Sequence, residues 1–577
     1  MNSGTTDTAV DVCSVDELRV QGLKVASIPG HTVAIFWSDG GPYAVDNRCP
    51  HMGFPMSRGT VSEGILTCHW HHAKFELAGG CTFDPFADDL PVFPTEVRDG
   101  RVWVDPHPKQ HEDRVAHWRS KLVQGLEQNL PLVLAKSVIG LSEAGEQRTI
   151  LSETARFGVR NRAQGWSAGL SILTCSANVL PHLPESDRAR ALYHGAFHVA
   201  RDTAERPPDF DLDPLTTDEH NPEVFRRWFR RFIETRSADA AERSLRTAIA
   251  NGLTSPEIAG LLFSAATDHL FMDEGHALDF ANKACELTDH IGWEHAAEIL
   301  PSLIQPLVWA QRMEETSTWR HPVDLPAVLR DATPVFHAAL DQGGGRLSDW
   351  DGHRELAEII LDAEPRESIE AIVARARDGV PLTELSAAVA YAAALRPVHF
   401  HVSNEFGDWD TVHHSFTYTN AVDQALRRSP SPELARGVLD GAMSVYLERF
   451  LNVPKQRLPL PNGRGSAEAL LSEFDRQQRV DETAQIVVDL LDGGGHEEVI
   501  RLLGHALLRE DAGFHMFQIY EAALRQYGNF TGRPEGDHIL IGAARFLTAH
   551  SPTVRARGQT FDIAARLNRG EALHADA

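Results

Sequence analysis

The chain has 577 residues, of which 42% are hydrophobic and 24% charged, and its formal net charge is −26. This length exceeds one ordinary domain and leads us to expect roughly two to four. The acidic balance lacks the basic footprint of a nucleic-acid binder, and no stretch approaches the roughly 18 uninterrupted apolar residues of a membrane span.

The N-terminal MNSGTTDTAVDVCSVDELRV has neither the basic nor the apolar part of a secretory signal. Six scattered cysteines form no disulfide framework, so a reducing cytoplasm is the expected location. From Leu18 to Asp105 the chain reads as β. Apolar or alternating runs such as Thr32-Val-Ala-Ile-Phe-Trp37 and Arg101-Val-Trp-Val104 are separated by turn signals at Asp39-Gly-Gly-Pro42, Ala78-Gly-Gly80 and Asp99-Gly100. Within this stretch Cys49 and His51 form C-x-H, and after a gap of sixteen residues Cys68 and His71 form C-x-x-H. Zinc accepts two Cys and two His, but its usual spacing pairs Cys with Cys and His with His. Mixed pairs suit a [2Fe–2S] centre in which two thiolates hold one iron and two imidazoles the other.

Past Pro106 the pattern turns helical, with apolar residues recurring at three and four. Expected helices are Arg114–Gln128, Pro222–Thr235, Asp239–Asn251, Ser255–Asp268, Glu433–Phe450, Ser466–Leu491 and His496–Arg509. A repeated unit stands out: a helix, a polar turn, then a helix opening with histidine. The copies are Glu257–Thr267 with His276–Ala284, Glu384–Ala394 with His414–Ala421, and Glu497–Leu508 with His515–Ala522. Their histidines lie over a hundred residues apart, longer than standard helical-repeat periods.

Asn47-Arg-Cys-Pro-His-Met-Gly53 and Cys68-His-Trp-His71, followed by Phe75 and Gly79-Gly80, resemble the two cluster loops of ferredoxin-like Rieske domains. Pro85, Asp89-Leu-Pro91 and the strand Arg101–Val104 match the rest of such a domain, over roughly residues 18–105. The resemblance implies a [2Fe–2S] cluster held by Cys49, His51, Cys68 and His71, with single-electron transfer as its use. His69 and His72 read as solvent-facing loop residues. High-potential members carry bridging cysteines and hydroxyls that hydrogen-bond the sulfurs; here Phe54, Trp70, Ala73 and Phe75 stand near those positions. Fewer hydrogen bonds to sulfur stabilise the reduced cluster less, so the expected potential is near the low end, about −150 mV.

The helical part is rich in histidine. His194, His198 and Asp202 fall at i, i+4 and i+8 on one helix face; His269, Asp273 and His276 form a second group; His399, His401, His413 and His414 a third; and His515 a fourth. Imidazoles and carboxylates on facing helices hold iron or manganese in bundle proteins. Any one histidine is more often a capped, hydrogen-bonded or surface residue than a ligand. His413-His-Ser-Phe-Thr-Tyr-Thr-Asn-Ala421 and the histidine groups are similar to questin-oxidase-like proteins, which implies Baeyer–Villiger-type chemistry but carries no catalytic residue across.

The expected fold class is therefore α+β and multidomain: a small all-β Rieske domain at 1–108, then a large all-α domain of helical hairpins at 109–577, with repeats near 240–320, 370–450 and 480–550. The expected function is an oxidoreductase of monooxygenase type. The cluster takes electrons from a separate reductase or ferredoxin and relays them to a helical site that activates oxygen on a small organic substrate. The residues expected there are His276, His414, His515, His194 and His198, with a second iron or other metal. The alternative is a ferredoxin-type carrier or redox-sensing binding protein on a non-catalytic helical scaffold.

Overall fold

The structure, a computed structural model, describes residues 8–109, 113–161, 164–347 and 349–574. The chain forms two compact units, one combining Met1–Thr154 with Ala556–Ala577 and the other Ala155–Arg555.

Among its described residues the first unit carries ten short strands: β1 Val10–Ser14, β2 Leu23–Ile28, β3 His31–Ser38, β4 Gly41–Asp46, β5 Thr60–Ser62, β6 Ile65–Thr67, β7 Lys74–Glu76, β8 Val92–Phe93, β9 Thr95–Arg98 and β10 Arg101–Val104. They pair antiparallel in three sheets, ordered β1-β10-β9, β2-β3-β4-β8 and β5-β6-β7. β3 explains how two cores form. Its side chains alternate between faces, so Ala34 and Phe36 join Val45, Leu66 and Phe75 in one core. Val33 and Ile35 join Leu18, Phe93, Val102 and Val104 in the other. The first of these cores also holds Cys49 and Cys68.

The β expectation from Leu18 is corrected at its start. Strand pairing begins earlier, at Val10, and Val15–Gln21 is helical. Ser14 caps that helix by accepting from the Glu17 N–H at 3.1 Å, and Asp16 and Glu17 favour its positive end. Helices Arg114–Glu127, Pro131–Glu143 and Ala556–Asn568 belong to the same unit, so the chain's last helix packs with one of its first.

The second unit is helical. The expected hairpins form: Ser255–Ala266 packs on His276–Ile291, Leu382–Val398 on Asp408–Arg428, and His496–Arg509 on Phe514–Asn529. Two expectations differ. Ser466–Leu491 is two helices, Ala467–Glu473 and Val480–Asp492, because the chain turns through Gln478 at φ 60° and Arg479 folds back onto Glu473 at 2.6 Å. His414 does not open its helix but lies two turns inside Asp408–Arg428. No helix among the described residues is long and apolar enough to cross a membrane.

The interior holds acids far from their ordinary state. Glu448 takes the Ser415 hydroxyl on one oxygen, while the other is buried without a hydrogen-bond partner. Burial pushes its carboxyl up to about 8, against the pull of Ser415 and the Arg396 charge. A raised carboxyl keeps its proton in the folded chain after the unfolded chain has lost it. Its contribution therefore falls as pH rises from about 4.3 to about 8 and is level above that. Glu448→Gln is expected to remove this component. Denaturant unfolding at pH 5 and pH 8 should show the variant gaining on wild type, by order of a few kcal/mol, at the higher pH. An equal difference at both pH values contradicts the assignment.

Candidate redox and metal sites

The first sequence motif lies between β4 and β5, the second between β6 and β7. The two loops are built alike. The Cys49 N–H donates to Phe54 O at 2.8 Å and the Cys68 N–H to Ala73 O at 2.9 Å, five residues on in each case. The fourth residue after each cysteine is left-handed, Gly53 at φ 72° and His72 at φ 61°. At Gly53 a Cβ would also stand 3.0 Å from Leu567 Cδ2, so conformation and space both call for glycine. This winding turns backbone donors toward each sulfur: the N–H groups of His51 and Met52 toward Cys49, those of Trp70 and His71 toward Cys68.

The four side chains meet. Cys49 and Cys68 are buried, 2% and 1% exposed, with their sulfurs in hydrogen-bond contact. That contact lowers Cys68 to about 6 against its burial, helped by the N–H groups of Trp70 and His71. The same contact, with burial, raises Cys49. The rings of His51 and His71 lie edge-on with centroids 4.8 Å apart. Burial, then the neighbouring His71 and Lys136 charges, pull His51 down to about 4, so its ring stays neutral, as a metal ligand must be. Its Nδ1 is buried and has no hydrogen-bond partner among the described residues. Trp70, 42% exposed, packs on His71 at 4.3 Å.

A small β domain with two such loops, each presenting a thiol and an imidazole, is an iron–sulfur electron-transfer module. The Rieske [2Fe-2S] domain family matches residues 8–94. The ferredoxin component of the alkene monooxygenase system of Xanthobacter autotrophicus is 35% identical over 106 residues, covering 18% of this chain and 87% of that protein. The 3-phenylpropionate/cinnamic acid dioxygenase ferredoxin subunit of Photorhabdus laumondii is 34% identical over 102 residues, 17% of this chain and 95% of that one. Apoptosis-inducing factor 3 of Homo sapiens is 30% identical over 94 residues, 16% of each chain. Through its N-terminal domain the chain belongs to the Rieske [2Fe-2S] family. That domain is homologous to ferredoxin components of oxygenase systems, which supports electron transfer. The family implies a [2Fe–2S] cluster, and the buried thiols, the donors aimed at them and the orphaned His51 nitrogen fit it.

In the second unit three further imidazoles converge, one from each repeated hairpin. One ligand nitrogen each of His276, His414 and His515 lies within 4.8 Å of the others. Nε2 of His414 and Nε2 of His515 are 3.2 Å apart, and the His276 and His414 ring centroids 4.7 Å. Carboxylates hold the far side of two rings. Asp410 Oδ1 is 2.9 Å from His515 Nδ1, and Glu274 Oε2 is 3.2 Å from His414 Nδ1. A carboxylate on Nδ1 fixes the tautomer and leaves the Nε2 lone pair free for a cation. Burial, then the charges of His414 and His515, push His276 down to about 3. A neutral His276 ring keeps a nitrogen lone pair to offer a metal.

Glu274 is positioned by unusual backbone. Phe271, Asp273 and Glu274 have φ of 45°, 53° and 55°, each costing roughly 1–3 kcal/mol, and Gly275 follows at 94°. Tyr418 packs on Phe271 at 4.9 Å, and a Cβ at Gly275 would stand 2.8 Å from Tyr418 Cβ. Next to this turn, Asp273 and Phe280 line a cavity of about 460 Å³ with Trp166, Trp309 and Gln305. Phe280 stacks on His276 at 5.5 Å, so the cavity wall is the layer directly over the triad.

The other expected histidines are placed elsewhere. His194 and His198 pack against the chain around Leu508–Ala512, their Nε2 atoms 3.2 Å from the carbonyls of Leu508 and Ala512, and the metal-capable group contains neither. His269 sits between Glu234 and Glu314 at 2.6 and 2.5 Å, and His399 Nδ1 is 2.9 Å from Gln456 O. Sequence reasoning missed Glu274 and Asp410. The available signal was an acid two residues before His276 and another four before His414.

Proposed function

We propose that this chain is an oxidoreductase with two redox stations. Cys49, His51, Cys68 and His71 hold the [2Fe–2S] cluster, which takes single electrons from a separate reductase or ferredoxin. His276, His414 and His515 hold a second metal, iron, for oxygen chemistry on a small organic substrate. The observation that carries the reading is the convergence of three imidazoles, two of them backed by Asp410 and Glu274. Three imidazoles suit iron among other first-row metals, and iron held this way supplies a one-electron partner for oxygen. The protein's own part is to hold His276 neutral by burial, orient the His414 and His515 rings through Glu274 and Asp410, and offer the cavity over His276 to a substrate. Relatives named as ferredoxin components of a monooxygenase and a dioxygenase support an oxygenase setting.

The test is metal analysis with oxygen uptake. The expected content is about three irons per chain, two in the cluster and one at the histidines, with reductant-dependent oxygen uptake that Cys68→Ala abolishes. Two irons, no third metal and no oxygen uptake on reduction would leave an electron carrier or redox sensor on a helical scaffold.

A further inference from the structure

Lys136 lies in helix Pro131–Glu143, outside the residues the Rieske family matches. Its Nζ donates to the carbonyl of Pro50, the residue between Cys49 and His51. With Arg48, Cys49, Asp88 and Trp118 it lines a cavity of about 210 Å³ on the Cys49 side of the first loop. Two basic side chains therefore border this cysteine; burial weakens the hold of Lys136 on its proton, with the Asp88 and Cys49 charges working against that. The Arg48 charge is matched by Asp46, which takes its Nε at 2.9 Å and its Nη2 at 2.6 Å. Lys136 faces Asp88, whose carboxylate also lies 3.0 Å from His117 Nε2. Burial disfavours the Asp88 charge, but the His117 hydrogen bond and then the Lys136 charge hold its carboxyl below the ordinary range.

A [2Fe–2S] cluster gains one negative charge on reduction, and a cation close to a ligand sulfur favours the form with more negative charge. We infer that Lys136 is a positioning residue for the electron-transfer centre, clamping the first cluster loop through Pro50 and raising the cluster's reduction potential, with Asp88 as the opposing charge. The inference rests on the ligand set proposed above. It places the potential higher than the apolar surroundings of Phe54, Ala73 and Phe75 alone would set it. It also makes a helix outside the matched domain part of the redox machinery.

Potentiometric titration of the full chain, followed by the EPR signal of the reduced cluster, tests it. Lys136→Gln is expected to move the reduced-to-oxidised ratio at fixed potential about tenfold toward the oxidised form, a 59 mV fall for a one-electron couple. Lys136→Arg should keep the wild-type midpoint, and Asp88→Asn should move it the other way. Opposite signs separate charge from looseness, because a loop merely loosened gives no such reversal. The inference is overturned if Lys136→Gln keeps the EPR line shape and the wild-type midpoint, or if Asp88→Asn and Lys136→Gln shift alike. Wild-type protein with no Rieske-type EPR signal would overturn the ligand set itself, and the inference with it.

Discussion

Replacing His515 with alanine is expected to abolish metal binding at the proposed three-histidine site while leaving the iron–sulfur cluster at full occupancy. His515 contributes one of the two closest ligand atoms, its Nε2 lying 3.2 Å from that of His414. It is also the ring that Asp410 orients. Two imidazoles remain after the substitution, fewer than the three protein ligands of a typical catalytic metal site. Asp410→Asn is a gentler probe. It keeps the three ligands but replaces the carboxylate on Nδ1 by an amide, and loss of such a partner costs roughly 10–100-fold in metal affinity. The two variants should therefore be ordered: no bound third metal for His515→Ala, weakened but recoverable binding at excess metal for Asp410→Asn. Cys68→Ala should give the mirror result, with cluster absorption lost and the third metal retained. A His515→Ala protein with the wild-type metal count would remove the basis for the helical site.

The two sites were unequally legible in the sequence, and the reason is distance along the chain. Cys49, His51, Cys68 and His71 are supplied by two short hairpin loops, so their spacing is itself the geometry. The histidines of the second site come from three separate helices, and only the repeated hairpin linked His276, His414 and His515. Their carboxylates are harder to see because they are cross-paired. Glu274 neighbours His276 but holds His414, and Asp410 shares a helix with His414 but holds His515. No local motif encodes that exchange. His194 and His198 carry the i, i+4 spacing of a ligand pair, and each ring meets a backbone carbonyl. Lys136 left no sequence signal, being 86 residues from the carbonyl it bonds.

Replacing Lys283 with methionine is expected to cause the largest loss of stability of any single change considered for the helical unit. Lys283 is 1% exposed and lies between Glu286 at 2.9 Å and Glu521 at 2.7 Å, which are themselves 6% and 1% exposed. Burial works against its charge, but the two carboxylates outweigh it and raise its affinity for the proton. In return Glu286 is held down at about 2, its burial outweighed first by Lys283 and then by Arg525. A buried ion group of this kind adds little net stability compared with apolar residues, but breaking it by removing one partner costs roughly 3–5 kcal/mol. Without the ammonium, the half-buried Arg525 alone is left to balance two buried carboxylates, and the low-dielectric interior pushes the pair toward the neutral form. Carboxyls raised in this way stabilise the folded chain at low pH and cost more as pH rises past the unfolded value of about 4.3. The deficit of Lys283→Met should therefore be larger at pH 8 than at pH 5, and Lys283→Met with Glu521→Gln should recover part of it. Lys283 also joins the helix that begins with His276 to the helix that carries His515, and Gln518 joins the same two by donating to Asp279 at 2.6 Å. Loss of this clamp should weaken metal binding at the triad even where the protein stays folded. Chemical unfolding followed by far-UV circular dichroism checks the stability, and metal titration the coupling. A deficit below about 1 kcal/mol at pH 8 would mean the pair relaxes or hydrates without its cation, and that the clamp is not what holds the two ligand helices together.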